Sequence, residues 1–217
     1  LKRCDVPLAA PSANAFGYVS PTTAAHVQAG LGKKIRHILD GGPSAIGLES
    51  TIVDLRDPRK PRLLRPGAIT RAQLERVLGV RVPVATAARR PARGAQLAPG
   101  LLQRHYSPRT PVVLHAQIKI QEVLADRNRR EGWLFIARPA TRSGGAGRPS
   151  LLSGTSRGRN IFWLDDRGDL RRAARKLFSQ LRALDTRGFK KIHVELAPGT
   201  GLADAINDRL RRAAARG

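Results

Sequence analysis

The sequence predicts an α/β protein in two unequal parts. Residues 111–217 form a small doubly wound, Rossmann-like parallel domain, preceded by a smaller twisted α/β part and a linker. Two observations carry this. Beyond Pro111, short β-branched or aromatic runs alternate with helical repeats, the pattern of strand–helix–strand units. Before residue 82 the strands are shorter and separated by Gly/Pro turns, and residues 83–110 lack periodicity.

The elements follow in order. Residues 4–10 read as the end of a buried strand, leading into the polar loop APSANAFGYVSPTT (10–23). Pro21-Thr22-Thr23 then opens a helix with Thr22 as the N-cap, and Gly30 and Gly32 close it. Ile35–Leu39 reads as a short strand, ended by the turn Asp40-Gly41-Gly42-Pro43. Residues 50–55 (STIVDL) are strand, 57–61 (DPRKP) turn, and 62–65 (RLLR) the return strand of a hairpin. Thr70 caps a helix through Leu78, with Gln73 at the capping-box position. In the linker, only Arg104-His105-Tyr106-Ser107-Pro108 stands out.

Past the linker, Val112–His115 is strand, Gln117–Arg130 helix and Trp133–Ala137 strand. Residues 138–158 read as a mobile Gly/Ser/Arg loop. Strand Ile161–Leu164, helix Leu170–Leu184, strand Ile192–Leu196 and helix Gly201–Ala215 complete the domain. Cations cluster at the C-terminal end of the last helix, as its dipole favours.

Composition narrows the function classes. The chain has 217 residues, 41% hydrophobic, enough for a core. It has no apolar run long enough for a membrane helix and no signal sequence, so a cytoplasmic setting and no membrane partner are expected. The single cysteine, Cys4, makes no internal disulfide and suits a reducing compartment. The net charge of +24 divides evenly, +12 in residues 1–110 and +12 in 111–217, so it is a general affinity for polyanions rather than one basic face. The absence of Met, with Leu1 opening in mid-pattern, reads as a fragment or a mis-started reading frame, an alternative initiation codon being the competing explanation.

Four stretches could carry chemistry. Ser12 and Asn14 place a hydroxyl and an amide in a loop leading to a helix N-terminus, with Ser20 just before it, an arrangement suited to an anion. Capping and Asx-turn chemistry uses the same residues, and the two readings stand level. GGPSAIGLEST (41–51) is glycine-rich but lacks the Lys-Ser/Thr ending of a phosphate loop. Its Glu49-Ser50-Thr51 end reads better as a side-chain contribution to a shared pocket. Arg65 stands at a strand end before a forced turn, which aims its guanidinium fork; a solvated arginine is the competing reading. His105-Tyr106 reads as an aromatic docking onto a domain or a ligand. The histidines at 26, 37, 105, 115 and 193 lack metal-ligand spacing, and no hydrolase triad stands out.

Taken together and in order, APSANAFGYVSPT, DGGPSAIGLESTIVDL, LLRPGAI and APGLLQRHYSP resemble the second half of the YrdC-like domain and the linker of the two-domain L-threonylcarbamoyladenylate synthases. GLADAINDRL (201–210) is similar to their C-terminal domain. The resemblance implies residues 1–82 as the C-terminal part of a YrdC-like catalytic domain, 83–110 as a linker carrying a His-Tyr-Ser-Pro gate, and 111–217 as the C-terminal domain. It also implies a nucleotidyltransferase making threonylcarbamoyl-AMP and pyrophosphate from L-threonine, bicarbonate and ATP, with Mg assisting. The product would pass to a separate tRNA threonylcarbamoyl transferase complex. Carried over by residue, Ser12 and Asn14 would line the substrate and phosphate site and Ala10 would offer backbone contacts. Ser20 would contact the nucleotide, Ser50 would hold threonine, Arg65 would face the phosphates and Tyr106 would close the pocket. The family's Lys-x-Arg motif and threonine-recognition segment precede Leu1, so a truncated chain, inactive alone and poorly stable over residues 1–82, is expected. The alternative is a non-catalytic YrdC-like RNA-binding module. Salt-sensitive tRNA binding without ATP consumption would mark that reading.

Overall fold

Parallel pairing dominates the second half of the chain. A computed structural model describes residues 3, 5–7, 9–85, 105–125, 129–142, 149–151 and 160–215. Strands β3 (Val112–His115), β4 (Glu131–Ala137), β7 (Ile161–Asp165) and β8 (Lys191–Glu195) form one sheet in the order β3-β8-β4-β7, every pair parallel. Parallel neighbours need crossovers, and helices α3 (Ile120–Ala125) and α4 (Leu170–Asp185) provide them. Helix α5 (Leu202–Ala214) follows β8.

The alternation of side chains along β4 divides the core. Leu134 and Ile136 point to the face packed by Ala173, Leu177, Phe178 and Leu181 of α4 and by Ile206 and Leu210 of α5. Trp133 and Phe135 point to the other face, where Ile118, Ile120 and Val123 pack. Helices therefore lie on both faces, which is the doubly wound arrangement that the sequence predicts. Helix α4 starts where the Asp169 side chain accepts the Arg172 N–H at 2.8 Å. Helix α5 starts at Gly201, whose φ of +73° favours glycine, with the Asp204 carboxylate accepting the Gly201 N–H at 2.9 Å.

The first half is sparser. Helix α1 (Ala24–Leu31) is followed by the antiparallel hairpin β1 (Ile52–Asp54) and β2 (Arg62–Arg65), then by α2 (Arg71–Leu78). The hairpin and the α2 capping box agree with the sequence reading: Thr70 accepts from the Gln73 N–H, and Gln73 accepts from the Thr70 N–H. Leu63 also bridges in parallel to Val84. Asp54 anchors the hairpin, bonded by the Arg56 guanidinium at 2.8 and 2.9 Å, and this pairing holds its carboxyl well below the usual range.

Several elements differ from expectation. Residues 35–39 are not a strand, and Leu39 is 99% exposed; among the described residues no strand lies beside them to pair their backbone. The same holds for 5–7 and 9–10, which are exposed, while residues 4 and 8 lie outside the described residues. The α1 cap is Thr23, one residue later than expected, because its side chain accepts the His26 N–H. Helix α3 is shorter than 117–130: the Ile118 N–H is drawn to a Glu195 carboxylate oxygen at 3.2 Å, which keeps the lead-in out of the helix. Residues 126–128 are outside the described set. Within 138–158, Ala140–Arg142 (β5) and Pro149–Leu151 (β6) pair antiparallel, and 143–148 and 152–158 are not described. The linker between 86 and 104 and Cys4 are likewise outside the description. Among the described residues, no helix is long and apolar enough to cross a membrane.

Candidate active site at the seam

The described residues of the first half rest against α4 and α5 through polar contacts, and several predicted site residues stand along this seam. The loop 10–20 turns on itself. The Asn14 N–H donates to the Ser12 carbonyl at 3.0 Å, and its side-chain amide donates to the carbonyls of Ala15 and Tyr18, both at 3.0 Å. The amide is thus engaged by the turn. Its oxygen, Oδ1, is buried and lacks a hydrogen-bond partner among the described residues, and so faces inward as a free acceptor. Ser12 and Ala10 are exposed on the same loop.

Where the loop ends, it is fixed from the other half of the chain. Arg182 of α4 donates to the carbonyls of Val19 and Ser20 and stacks over the Tyr18 ring at 4.8 Å. The Tyr18 hydroxyl in turn donates to Asp185 at 2.8 Å. Burial pushes the Tyr18 phenol up. Burial alone would raise Asp185 too, but the Thr110 N–H and the Tyr18 hydroxyl bonded to it hold its carboxyl below the ordinary value. Ser20 is therefore buried, and its hydroxyl donates to Glu49 Oε1 at 2.7 Å.

Glu49 is the hub. Its second oxygen accepts from Arg209 Nε at 2.8 Å, and Arg209 is fully buried on α5. One residue on, the Ser50 carbonyl accepts from Arg65 Nε at 3.0 Å, while the Ser50 side chain is exposed. Arg65 itself is buried at the end of β2. Gly47 makes this approach feasible, for a Cβ there would lie 2.5 Å from the Arg175 Cα.

Tyr106 docks from the linker side. It is 1% exposed, stacks on Phe178 of α4 at 5.3 Å and lies 5.5 Å from the Arg209 guanidinium. The Ser107 N–H donates to the Gly17 carbonyl at 2.9 Å, tying this motif to the first loop. Tyr106 adopts φ +61°, unusual for a residue with a side chain, and its hydroxyl has no partner among the described residues. His105 packs edge-on against it at 4.1 Å, and its Nδ1 also lacks a partner among the described residues. Burial raises the Tyr106 phenol and lowers the His105 imidazole, so both are neutral near pH 7.

Ser20, Ser50, Arg65 and Tyr106 are thus drawn around Glu49 and Arg209. Ser12 and Ala10 stand apart on the exposed loop, and Asn14 joins them to Tyr18. Buried donors and acceptors left open beside oriented cations suit a small polar, anionic ligand. The sequence reading missed Arg182 and Arg209. Their signal is spacing: both fall on the apolar stripes of their helices, Arg182 with Phe178 and Leu181, and Arg209 with Ile206 and Ala213. Among the described residues, no group of three His, Cys, Asp or Glu stands together as a metal site.

Comparison with known proteins adds the following. The family model described as threonylcarbamoyl-AMP synthase, C-terminal domain, matches residues 69–215, and one described as telomere recombination matches residues 1–67. The chain is 36% identical to the threonylcarbamoyl-AMP synthase of Pyrococcus abyssi, over 95% of this chain and 57% of the relative. It is 35% identical to that of Bacillus subtilis, over 99% of this chain and 59% of the relative. The solved structure of P. abyssi Sua5 complexed with L-threonine superposes with a TM-score of 0.68 at 32% identity, covering 94% of this chain and 56% of that one. A variant of that protein, with an adjacent histidine and tyrosine replaced by alanine, superposes with a TM-score of 0.67 at 30% identity, with the same coverage. The chain spans under three-fifths of the length of these relatives.

Proposed function

The chain belongs to the threonylcarbamoyl-AMP synthase family, and on that premise we propose that it contributes the seam described above to synthesis of threonylcarbamoyl-AMP. In this reading the amine of L-threonine attacks the bicarbonate carbon, water leaves, and a carbamate forms. A carbamate oxygen then attacks the α-phosphorus of ATP, and pyrophosphate leaves. The product would pass to a tRNA threonylcarbamoyl transferase complex in the cytoplasm. The division into 1–82, 83–110 and 111–217 belongs to the same proposal.

The observation that carries it is the convergence of Ser20, Ser50, Arg65 and Tyr106 on Glu49 and Arg209. Arg65, oriented by the Ser50 carbonyl, would face the phosphates, where charge shifts as pyrophosphate departs. The exposed Ser50 hydroxyl would hold threonine. Ser12, the open Asn14 oxygen and the Ala10 backbone would line the substrate side, and Ser20 would stand by the nucleotide. Tyr106 would close over the pocket and exclude water. We assign no magnesium ligands to this chain; magnesium would enter on the ATP phosphates, keeping several of its waters.

Pyrophosphate release tests this reading. It is measured with ATP, L-threonine and bicarbonate, using this chain alone and this chain joined to the remaining length of the P. abyssi relative. Release that needs all three substrates, falling about a hundredfold in Arg65→Ala, is the expected outcome. No release by either protein, at matched folding, would sink it. One observation favours a second reading, a non-catalytic RNA-binding module. Arg56, Arg59, Lys60, Arg62 and Arg81 line a cavity of about 750 Å³ at the hairpin, against only Asp54 and Asp57. Salt-sensitive tRNA binding without ATP consumption would shift the assignment there.

A further inference from the structure

Arg209 is a cation placed where a leucine would pack. It lies on the buried stripe of α5, 0% exposed, beside Ile206 and Leu210. Burying a guanidinium is unfavourable unless its N–H groups are matched. Here they are matched mainly by the other half of the chain. Nε donates to Glu49 Oε2 at 2.8 Å, Nη1 to the Pro66 carbonyl at 2.8 Å, and Nη2 to the Glu49 carbonyl at 3.3 Å. Only Asp208, at 2.9 Å, is a partner from its own helix.

These partners are the backbone on which the proposed site stands. Glu49 precedes Ser50, Pro66 follows Arg65, and the other carboxylate oxygen of Glu49 accepts from the Ser20 hydroxyl. The same guanidinium lies 5.5 Å from the Tyr106 ring. One planar group therefore fixes the approach of two strand ends and one loop, and borders the docked tyrosine. A planar fork with several N–H groups does this; an ammonium, a point charge, holds one partner at a time.

We propose that Arg209 is a positioning residue: through Glu49 and the Pro66 carbonyl it sets the geometry of Ser20, Ser50 and Arg65. The C-terminal domain is then a scaffold of the site and not an appended unit. This rests on the reading of those residues as the site of threonylcarbamoyl-AMP synthesis.

The test uses the full 217-residue chain with ATP as the probe, titrated by calorimetry, together with amide hydrogen exchange. R209M keeps the volume and removes the fork, R209K keeps a charge, and L134A weakens the core of β4 at a side chain that carries none of the seam's hydrogen bonds. R209M is expected to weaken ATP about tenfold or more. It is also expected to speed exchange at Ser20 and residues 49–51 while β4 and β8 stay protected. R209K is expected to recover at least half of the lost affinity on a logarithmic scale, and L134A to bind ATP as the parent does. Parent-like ATP affinity and exchange in R209M would overturn the proposal. So would equal losses in R209M and L134A at matched melting temperature, or loss of protection across the whole chain in R209M, for then the residue is only part of the core. If the parent chain alone binds no ATP, the titration is repeated with the chain joined to the remaining length of the P. abyssi relative, and no binding there either overturns the substrate reading. Exchange at Ser20 and 49–51 then still decides whether Arg209 holds these segments: faster exchange in R209M supports it, and unchanged exchange overturns it.

Discussion

Tyr106 combines three costs in one residue: a left-handed backbone, nearly complete burial and a hydroxyl without a partner among the described residues. Such costs persist where function requires them. Removing the hydroxyl relieves one, so Tyr106→Phe is expected to leave the ligand-free chain as stable or stabilise it by about 1 kcal/mol. Thermal unfolding without ligand checks this, and a large destabilisation would show that the hydroxyl is satisfied in solution. Gly47→Ala is the opposite case. A Cβ there meets the α4 backbone, at φ +78°, and neither side has room to yield. A loss of about 2 kcal/mol or more is expected in denaturant unfolding. At this scale the sequence told part of the story. Ser20, Ser50 and Arg65 were legible as candidates because they stand at loop and strand ends, although the structure turns the Ser50 carbonyl, not its side chain, to Arg65. Arg209 was hidden among 32 arginines, and only its place on an apolar stripe sets it apart.

Elements whose signals are local agree best with the sequence. The α2 capping box needs only Thr70 and Gln73, and both were readable from spacing. Thr70→Ala is expected to cost about 1 kcal/mol, seen as a lower melting temperature. The buried stripe of α4 was equally plain, and Leu177→Ala is expected to cost about 2–5 kcal/mol because Leu177 is fully buried between the sheet and α5. Strands are different, since a strand is defined by its neighbour. Ile35–Leu39 has an apolar composition, but among the described residues nothing pairs with it. Helix α3 was overextended for a similar reason: its start is decided by Glu195, some 77 residues away in sequence.

Across the whole molecule, three carboxylates link stability to acid. Burial would raise Asp165, but the N–H groups of Asp169 and Arg167 and the Arg172 guanidinium bring it down to about 2 from an ordinary 3.8. Asp54 and Asp185 are also depressed. A depressed carboxyl contributes its stability above the unfolded value and loses it as pH falls through the folded one. Unfolding free energy is therefore expected to hold from pH 7 to about pH 5 and to decline below it, the decline continuing past pH 2. Asp165→Asn should flatten part of that decline, and an unchanged acid profile in this variant would refute the assignment. Among the described residues, the exposed large apolar side chains lie by contrast almost entirely in the first half, Phe16 at 88% and Val77 at 84% among them, with Leu124 alone beyond residue 84.

The seam also sets a timetable. Glu49 and Arg209 are 160 residues apart in sequence, and the Arg182 bonds to Val19 and Ser20 span as far. A ribosome adding about 5–20 residues per second delivers the two partners roughly ten to thirty seconds apart. Until α4 and α5 have been made, the nascent first half lacks the polar contacts that they provide. The rate of synthesis then sets how long the first half waits for its partners.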